Sequence, residues 1–264
     1  MKYTYEQLAG MIDHSLLHPT MTDEELEDGC RLAAQYRVAS VCIKPYYVKR
    51  AVGLLKGTGV KVGAVVGFPH GGSTTEVKRY ETEAACRDGA AEIDMVMNIG
   101  KALSGDWGYV ESDIRAVCDA AHHCGARVKV ILENDYLANG GAGLSGNELK
   151  RKLCRVAERA GADWVKTSTG YGFVKGPDGK YSYQGATESD LKLMRASCSP
   201  NVQVKAAGGV RSLDGLIRAR ELGATRCGVT ATAAILDEYR KRARSNKAGA
   251  TRKASRTTLG TGGY

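Results

Sequence analysis

Short apolar runs alternate with helix-forming segments along almost the whole chain, and few architectures satisfy that order. "SVCIKP" (Ser40–Pro45) precedes the helical "YYVKRAVGLLKG", and "VKVGAVVGFP" (Val60–Pro69) precedes "STTEVKRYETEAACRDGA". "EIDMVMNIG" (Glu92–Gly100) leads into "WGYVESDIRAVCDAAHHCG", and "RVKVILEND" (Arg127–Asp135) into "NELKRKLCRVAERAGA". The runs "DWVKTSTG", "VQVKAAGG" and "TRCGV" are followed by "TESDLKLMRASCS", "SLDGLIRARELGA" and "TATAAILDEYRKRA". A short first strand near Ile12–His14 completes eight expected β/α units. Strand runs apolar on both faces, each followed by a helix, mean a parallel sheet covered by helices. Eight units in about 240 residues fit the α/β class as a single (β/α)8 TIM barrel. A doubly wound open sheet is the alternative, although the early GxGxxG of a dinucleotide fold is missing. No linker divides the chain, so the expected organisation is a barrel over residues 1–243 and a flexible basic tail over 244–264.

Two of the runs end on a lysine that faces a flexible turn: Lys166 in "DWVKTSTGYG" and Lys205 in "VQVKAAGGVR". A buried lysine is costly, so two at equivalent strand ends need a reason. In a barrel they stand on the sixth and seventh strands, about 4.8 Å apart, and project into one pocket at the catalytic face. Asp94 belongs to the fourth strand. A lysine amine attacks a carbonyl only when unprotonated, and at a reference pKa near 10.4 about one in 2,500 is neutral at pH 7. A neighbouring ammonium and desolvation can lower that pKa by about 3, equivalent to about 4 kcal/mol. One lysine is then the nucleophile and the other its perturber. Asp94 opposes this electrostatically, and its expected role is a proton relay through water.

These segments resemble the deoxyribose-phosphate aldolases, class I aldolases built on (β/α)8 barrels. The resemblance runs through "IDHSLLHPTMTDEEL", "VCIKPYYV", "VGFPHGGSTTEVKRYETEAACRDGAAEIDMVMNIG", "VKVILEND", "GADWVKTSTGYG" and "VKAAGGVRSLDGLIRARELGATRCG", in order over roughly residues 10–235. It implies reversible cleavage of 2-deoxy-D-ribose 5-phosphate to D-glyceraldehyde 3-phosphate and acetaldehyde. The alternative is a Schiff-base aldolase of another, possibly unphosphorylated, sugar. The resemblance implies that Lys166 forms the Schiff base, Lys205 is the second lysine and Asp94 relays protons. No metal and no cofactor are expected. The five histidines are scattered, and His122–His123 falls near a helix end.

The substrate phosphate needs donors. Gly170, Gly208 and Gly209 let backbone N–H groups approach it, and the turn Gly228–Thr232, with Thr230, offers a helix N-terminus. Family members carry small hydroxyl residues in that turn, where this chain has Val229 and Ala231. Asp13, at the end of the first strand, is expected to bind a substrate hydroxyl or cap a helix. Cys42 is expected either to line the pocket or to be a small buried hydrophobe. Lys44 stands where the family has asparagine, and "PHGG" (Pro69–Gly72) also departs from the family pattern. The segment Tyr171–Thr187 is longer than usual, with "GPDG" between apolar flanks, and predicts a small hairpin over the pocket mouth or against a partner subunit.

Composition narrows the rest. The chain of 264 residues carries a net charge of +9, yet eight Lys/Arg and no acid follow Tyr239, which leaves 30 basic against 29 acidic residues before it. Basicity confined to one tail without interleaved aromatics argues against nucleic-acid binding. No run approaches the roughly 20 apolar residues of a membrane span, and the N-terminus lacks a signal-peptide core. Eight cysteines with no CxxC read as free cytosolic thiols. The expected location is cytoplasmic. The expected partners are the phosphosugar and aldehyde substrates and further copies of the chain, in a homo-oligomer (dimer or tetramer). Tyr264, at the end of "GTGGY", is expected to reach back from the tail as a proton relay, or to be an unattached end.

Overall fold

The computed structural model describes residues 2–255. Tyr264 lies outside them. The strands in chain order are β1 (Ile12–Leu16), β2 (Ser40–Ile43), β3 (Lys61–Val66), β4 (Glu92–Val96), β5 (Arg127–Ile131), β6 (Trp164–Lys166), β7 (Val174–Lys175), β8 (Tyr181–Ser182), β9 (Gln203–Ala207) and β10 (Ala224–Val229). Eight of them form a closed barrel in the order β1-β10-β9-β6-β5-β4-β3-β2, all parallel, and β7 and β8 pair separately. The expected barrel is present and the open sheet is not.

Helices cover the outside because their apolar faces match the outward faces of the strands. The helix Asp23–Tyr36 buries Leu26, Cys30 and Ala33 and is opened by a capping box, Thr22 to Glu25. The helix Gly146–Arg159 buries Leu149, Leu153, Val156 and Ala157 and opens on the same device, Ser145 to Glu148. Between these elements the apolar runs continue past the hydrogen-bonded strands. β2 stops at Ile43, β3 at Val66 and β5 at Ile131. The residues beyond them, expected as strand, are loops. Two short helices not expected from the sequence, Ile99–Leu103 and Asn134–Leu137, follow β4 and β5.

The last helix departs most from expectation. It runs from Thr232 to Ser255, so the boundary expected at residue 243 falls inside a helix, and the flexible tail does not begin there. The physical reason is propensity: the segment is rich in Ala, Arg and Lys, which favour helix even where no apolar face is available.

Candidate active site

The period-2 alternation of a strand places residues i and i+2 on one face. Inside the barrel that face is charged. Glu92 and Asp94 of β4 both meet Lys129 of β5, at 2.5 and 2.9 Å from its Nζ. Asp13 of β1 receives Lys205 Nζ at 2.6 Å and Arg226 of β10, and Arg226 also reaches Glu92 at 2.8 Å. Ser40 Oγ donates to Asp13 at 2.8 Å. These groups are essentially buried. Most TIM barrels fill this space with branched apolar side chains; here ion pairs fill it.

At the top of this cluster Lys166 and Lys205 are register neighbours, one on β6 and one on β9. Their amines share one acceptor, Asp94 Oδ2, at 2.7 and 2.8 Å. The sequence expectation that the two lysines and Asp94 meet is met in geometry. Asp94 touches both amines directly and holds a third cation, Lys129, on its other oxygen.

Burial by itself would raise the Asp94 carboxyl, but Lys129, Lys166 and Lys205 hold it well below the usual carboxylate range. Burial would likewise raise Asp13, and Lys129, Lys205 and Arg226 reverse it. Burial would lower Lys129 and Lys205, and the carboxylates Asp13 and Asp94 raise both instead. Lys205 is therefore favoured as the ammonium, the form that can donate a proton. Cys42, whose thiol points to Asp94 Oδ2 at 3.7 Å, is pushed up to about 11 by burial and then by Asp94. It stays a thiol.

A cavity of about 160 Å³ opens above the cluster, lined by Lys166, Lys205 and Cys42 at its floor. Its rim includes Gly170, Gly208, Gly209, Gly228 and Thr230, and also Arg211. Gly208 and Gly209 have φ of 83° and 89°, a region that favours glycine, so the turn after β9 can lay its backbone along the cavity. A Cβ on Gly208 would lie 3.0 Å from Gly185 Cα. Asp13 is not among the cavity-lining residues and pairs with Lys205 and Arg226 in the ionic cluster. Lys44 turns away, donating to the carbonyl of His18 at 2.9 Å. His14 and His18 bond Thr232 and Thr20, at 2.9 and 2.8 Å.

The hairpin is present. Val174 pairs with Ser182 and Lys175 with Tyr181 across the turn. It sits over the pocket because Asp135 accepts the N–H groups of Gln184 and Gly185 at 2.9 and 3.0 Å. Tyr183 and Tyr171 become cavity walls, braced by Phe173 and Phe68 with ring centroids 5.3 and 5.6 Å apart. Replacing Phe173–Tyr183 by a short glycine linker should raise KM about tenfold, the worth of a partly buried aromatic contact of about 1.4 kcal/mol. Steady-state kinetics checks this, and an unchanged KM would make the hairpin irrelevant to substrate.

Sequence reasoning missed Lys129, Glu92, Arg226 and Glu133. Glu133, in a left-handed φ of 56°, accepts the Thr169 N–H at 3.1 Å and the Thr169 hydroxyl, and so shapes the loop after Lys166. Burial raises its carboxyl. Lys129 carried a usable signal, a lone charge inside an apolar strand run.

Comparison with known proteins agrees with this geometry. Residues 8–236 match the DeoC/LacD family aldolases. The deoxyribose-phosphate aldolase of Rhodopirellula baltica is 49% identical over 239 residues, 90% of this chain and 92% of the relative. That of Clostridium perfringens (strain ATCC 13124) is 46% identical over 88% of this chain and 95% of the relative. The solved tetrameric deoxyribose phosphate aldolase of Aeropyrum pernix superposes with a TM-score of 0.76 at 31% identity, covering 90% of this chain and 92% of that one. A lysine pair on one carboxylate, in a barrel that shares this much sequence with these enzymes, places the chain in the DeoC/LacD family of aldolases.

Proposed function

We propose that this lyase reversibly cleaves 2-deoxy-D-ribose 5-phosphate to D-glyceraldehyde 3-phosphate and acetaldehyde through a Schiff base on Lys166. The observation that carries the reading is the meeting of Lys166 and Lys205 on Asp94 Oδ2 at the floor of the cavity. Lys166 Nζ adds to the aldehyde carbonyl, and loss of water leaves an iminium. The iminium draws the electrons of the breaking C–C bond, so D-glyceraldehyde 3-phosphate departs and an enamine remains. Protonation of the enamine carbon and hydrolysis release acetaldehyde. Asp94 and Lys205 lie where they can pass the protons. The N–H groups of Gly170, Gly208, Gly209 and Gly228, with Thr230 and the Arg211 guanidinium, are the phosphate donors of this reading. Rates measured on deoxyribose with and without the 5-phosphate test it. A preference for the unphosphorylated sugar would favour the alternative aldolase, which the Tyr171 and Tyr183 walls could serve.

The reading carries with it a cytoplasmic location and a homo-oligomer, dimer or tetramer. The tetrameric Aeropyrum relative supports the assembly. Among the described residues no helix is long and apolar enough to cross a membrane. Tyr264 completes the proposal as a phenol that joins Asp94 in moving the methyl proton. Tyr264→Phe should slow exchange of acetaldehyde methyl protons into deuterated water by about tenfold or more, with adduct trapping intact. Exchange at the wild-type rate would remove Tyr264 from the mechanism.

A further inference from the structure

The ionic cluster in the barrel has an odd charge count. Its cations are Arg226, Lys129, Lys205 and Lys166, and its carboxylates are Asp13, Glu92 and Asp94. With Lys166 protonated the cluster holds one positive charge too many. With Lys166 neutral it balances.

We propose that Glu92, Lys129 and Arg226, none of which lines the cavity, are positioning residues that set the protonation of Lys166 through this balance. The inference rests on Lys166 being the nucleophile.

The geometry supports it in three ways. First, the cluster is continuous: Arg226 bridges Asp13 and Glu92, Lys129 bridges Asp13, Glu92 and Asp94, and Asp94 carries Lys166. Second, Glu92, Lys129, Asp94, Asp13 and Lys205 have relative exposures of 0% and Lys166 of 3%, so solvent screens an imbalance poorly. Third, the other charges support one another: Asp13 and Asp94 are shifted toward the carboxylate, and Lys129 and Lys205 toward the ammonium. Four titratable groups face Lys166. Asp94 faces it from β4, Lys205 from β9, Cys42 from β2, and Glu133 from the loop after β5. Cys42 stays uncharged. Glu133, raised by burial and engaged by Thr169, attracts Lys166 electrostatically without joining the ion-paired cluster.

The same balance acts on the reaction. The amine attacks the carbonyl carbon, the carbonyl oxygen leaves as water, and formation of the iminium takes up one proton. The iminium restores the surplus positive charge. Loss of a methyl proton to solvent gives the neutral enamine and removes it again. Amine plus aldehyde giving enamine plus water is balanced in atoms and charge, and both end states suit the cluster better than the cation between them.

The test is borohydride trapping of acetaldehyde on Lys166, located by peptide mass spectrometry and followed against pH. Lys129→Gln leaves Lys205, Arg226 and a protonated Lys166 to balance the three carboxylates, so half-maximal trapping should move to higher pH. Glu92→Gln enlarges the positive surplus and should move it to lower pH. Each shift should be about one pH unit or more for a full charge changed a few ångströms away. The double variant Glu92→Gln/Arg226→Gln removes one charge of each sign and should keep the wild-type profile. It also decides the matter where a single variant fails to fold. Shifts of the same sign in both single variants, no shift in either, or a double variant displaced as far as a single one would overturn the inference. Absence of an adduct on Lys166 in the wild-type protein would instead overturn the nucleophile assignment.

Discussion

Lys166→Arg is expected to leave no trapped acetaldehyde adduct and no measurable cleavage. Guanidinium stays protonated across the working pH range and is no nucleophile. Arg keeps the positive charge next to Asp94 Oδ2, which Lys166 approaches to 2.7 Å, so loss of activity reports the missing amine rather than a broken ion pair. Lys205→Leu is its control. That substitution removes a cation from between Asp13 and Asp94 and leaves the Lys166 amine in place. Adduct should still form on Lys166, at higher pH and more slowly. Peptide mapping that finds the wild-type adduct on Lys205 would reverse the two roles.

Asp94→Asn has the second largest expected effect, and it separates binding of the aldehyde from turnover. Three lysine amines lie within 2.9 Å of the Asp94 carboxylate. Removing one partner of a buried ionic group costs about 3–5 kcal/mol of stability. Adduct formation should persist, because loss of a negative charge disfavours a protonated Lys166. Cleavage and methyl-proton exchange should fall by about 10²–10⁴, the worth of a positioned acid–base group. The stability loss has a pH signature. A carboxylate whose folded pKa is depressed contributes stability above its unfolded pKa, near 3.9, and that contribution is lost as pH falls through the folded value. Wild type and Asp94→Asn should therefore converge in stability on acidification. Urea titrations at neutral pH and in acid check this. Full cleavage by Asp94→Asn would take the carboxylate out of the chemistry.

Lys166, Lys205 and Asp94 were legible because each is a charge within an apolar strand run, and the two lysines are each followed by small or hydroxyl residues and glycine. The alternation of runs and helices made the barrel legible for the same reason: burial on both faces leaves few ways to arrange such strands. Arg226 and Glu92 were not legible. They stand near the starts of β10 and β4, where a charge ordinarily faces solvent, and only barrel closure turns them inward. Lys129 resembles Lys166 in its surroundings but is followed by Ile131 and Leu132 rather than by a glycine turn, so its charge within an apolar run was the one local mark it carried. Strand ends were overread because the residues that follow several strands, such as Phe68, Met97 and Leu132, remain apolar. The last helix was underread because a polar, basic composition suggested a tail, while its residues individually favour helix.

The position of Arg226 and Asp13 has a consequence for how the molecule assembles. β1 and β10 are the first and last strands of the barrel, paired from Ile12 with Cys227 to His14 with Val229, and the ion pair between Asp13 and Arg226 spans that closing seam. A slip of one residue would turn the charged face of a strand outward, against the apolar helices. Seven parallel strands without the eighth would also leave Asp13 and Glu92 short of a cation in a dry interior. The last strand to be synthesised thus carries the charge that completes the first. The sheet has one favourable way to shut, and a chain truncated before Arg226 lacks it.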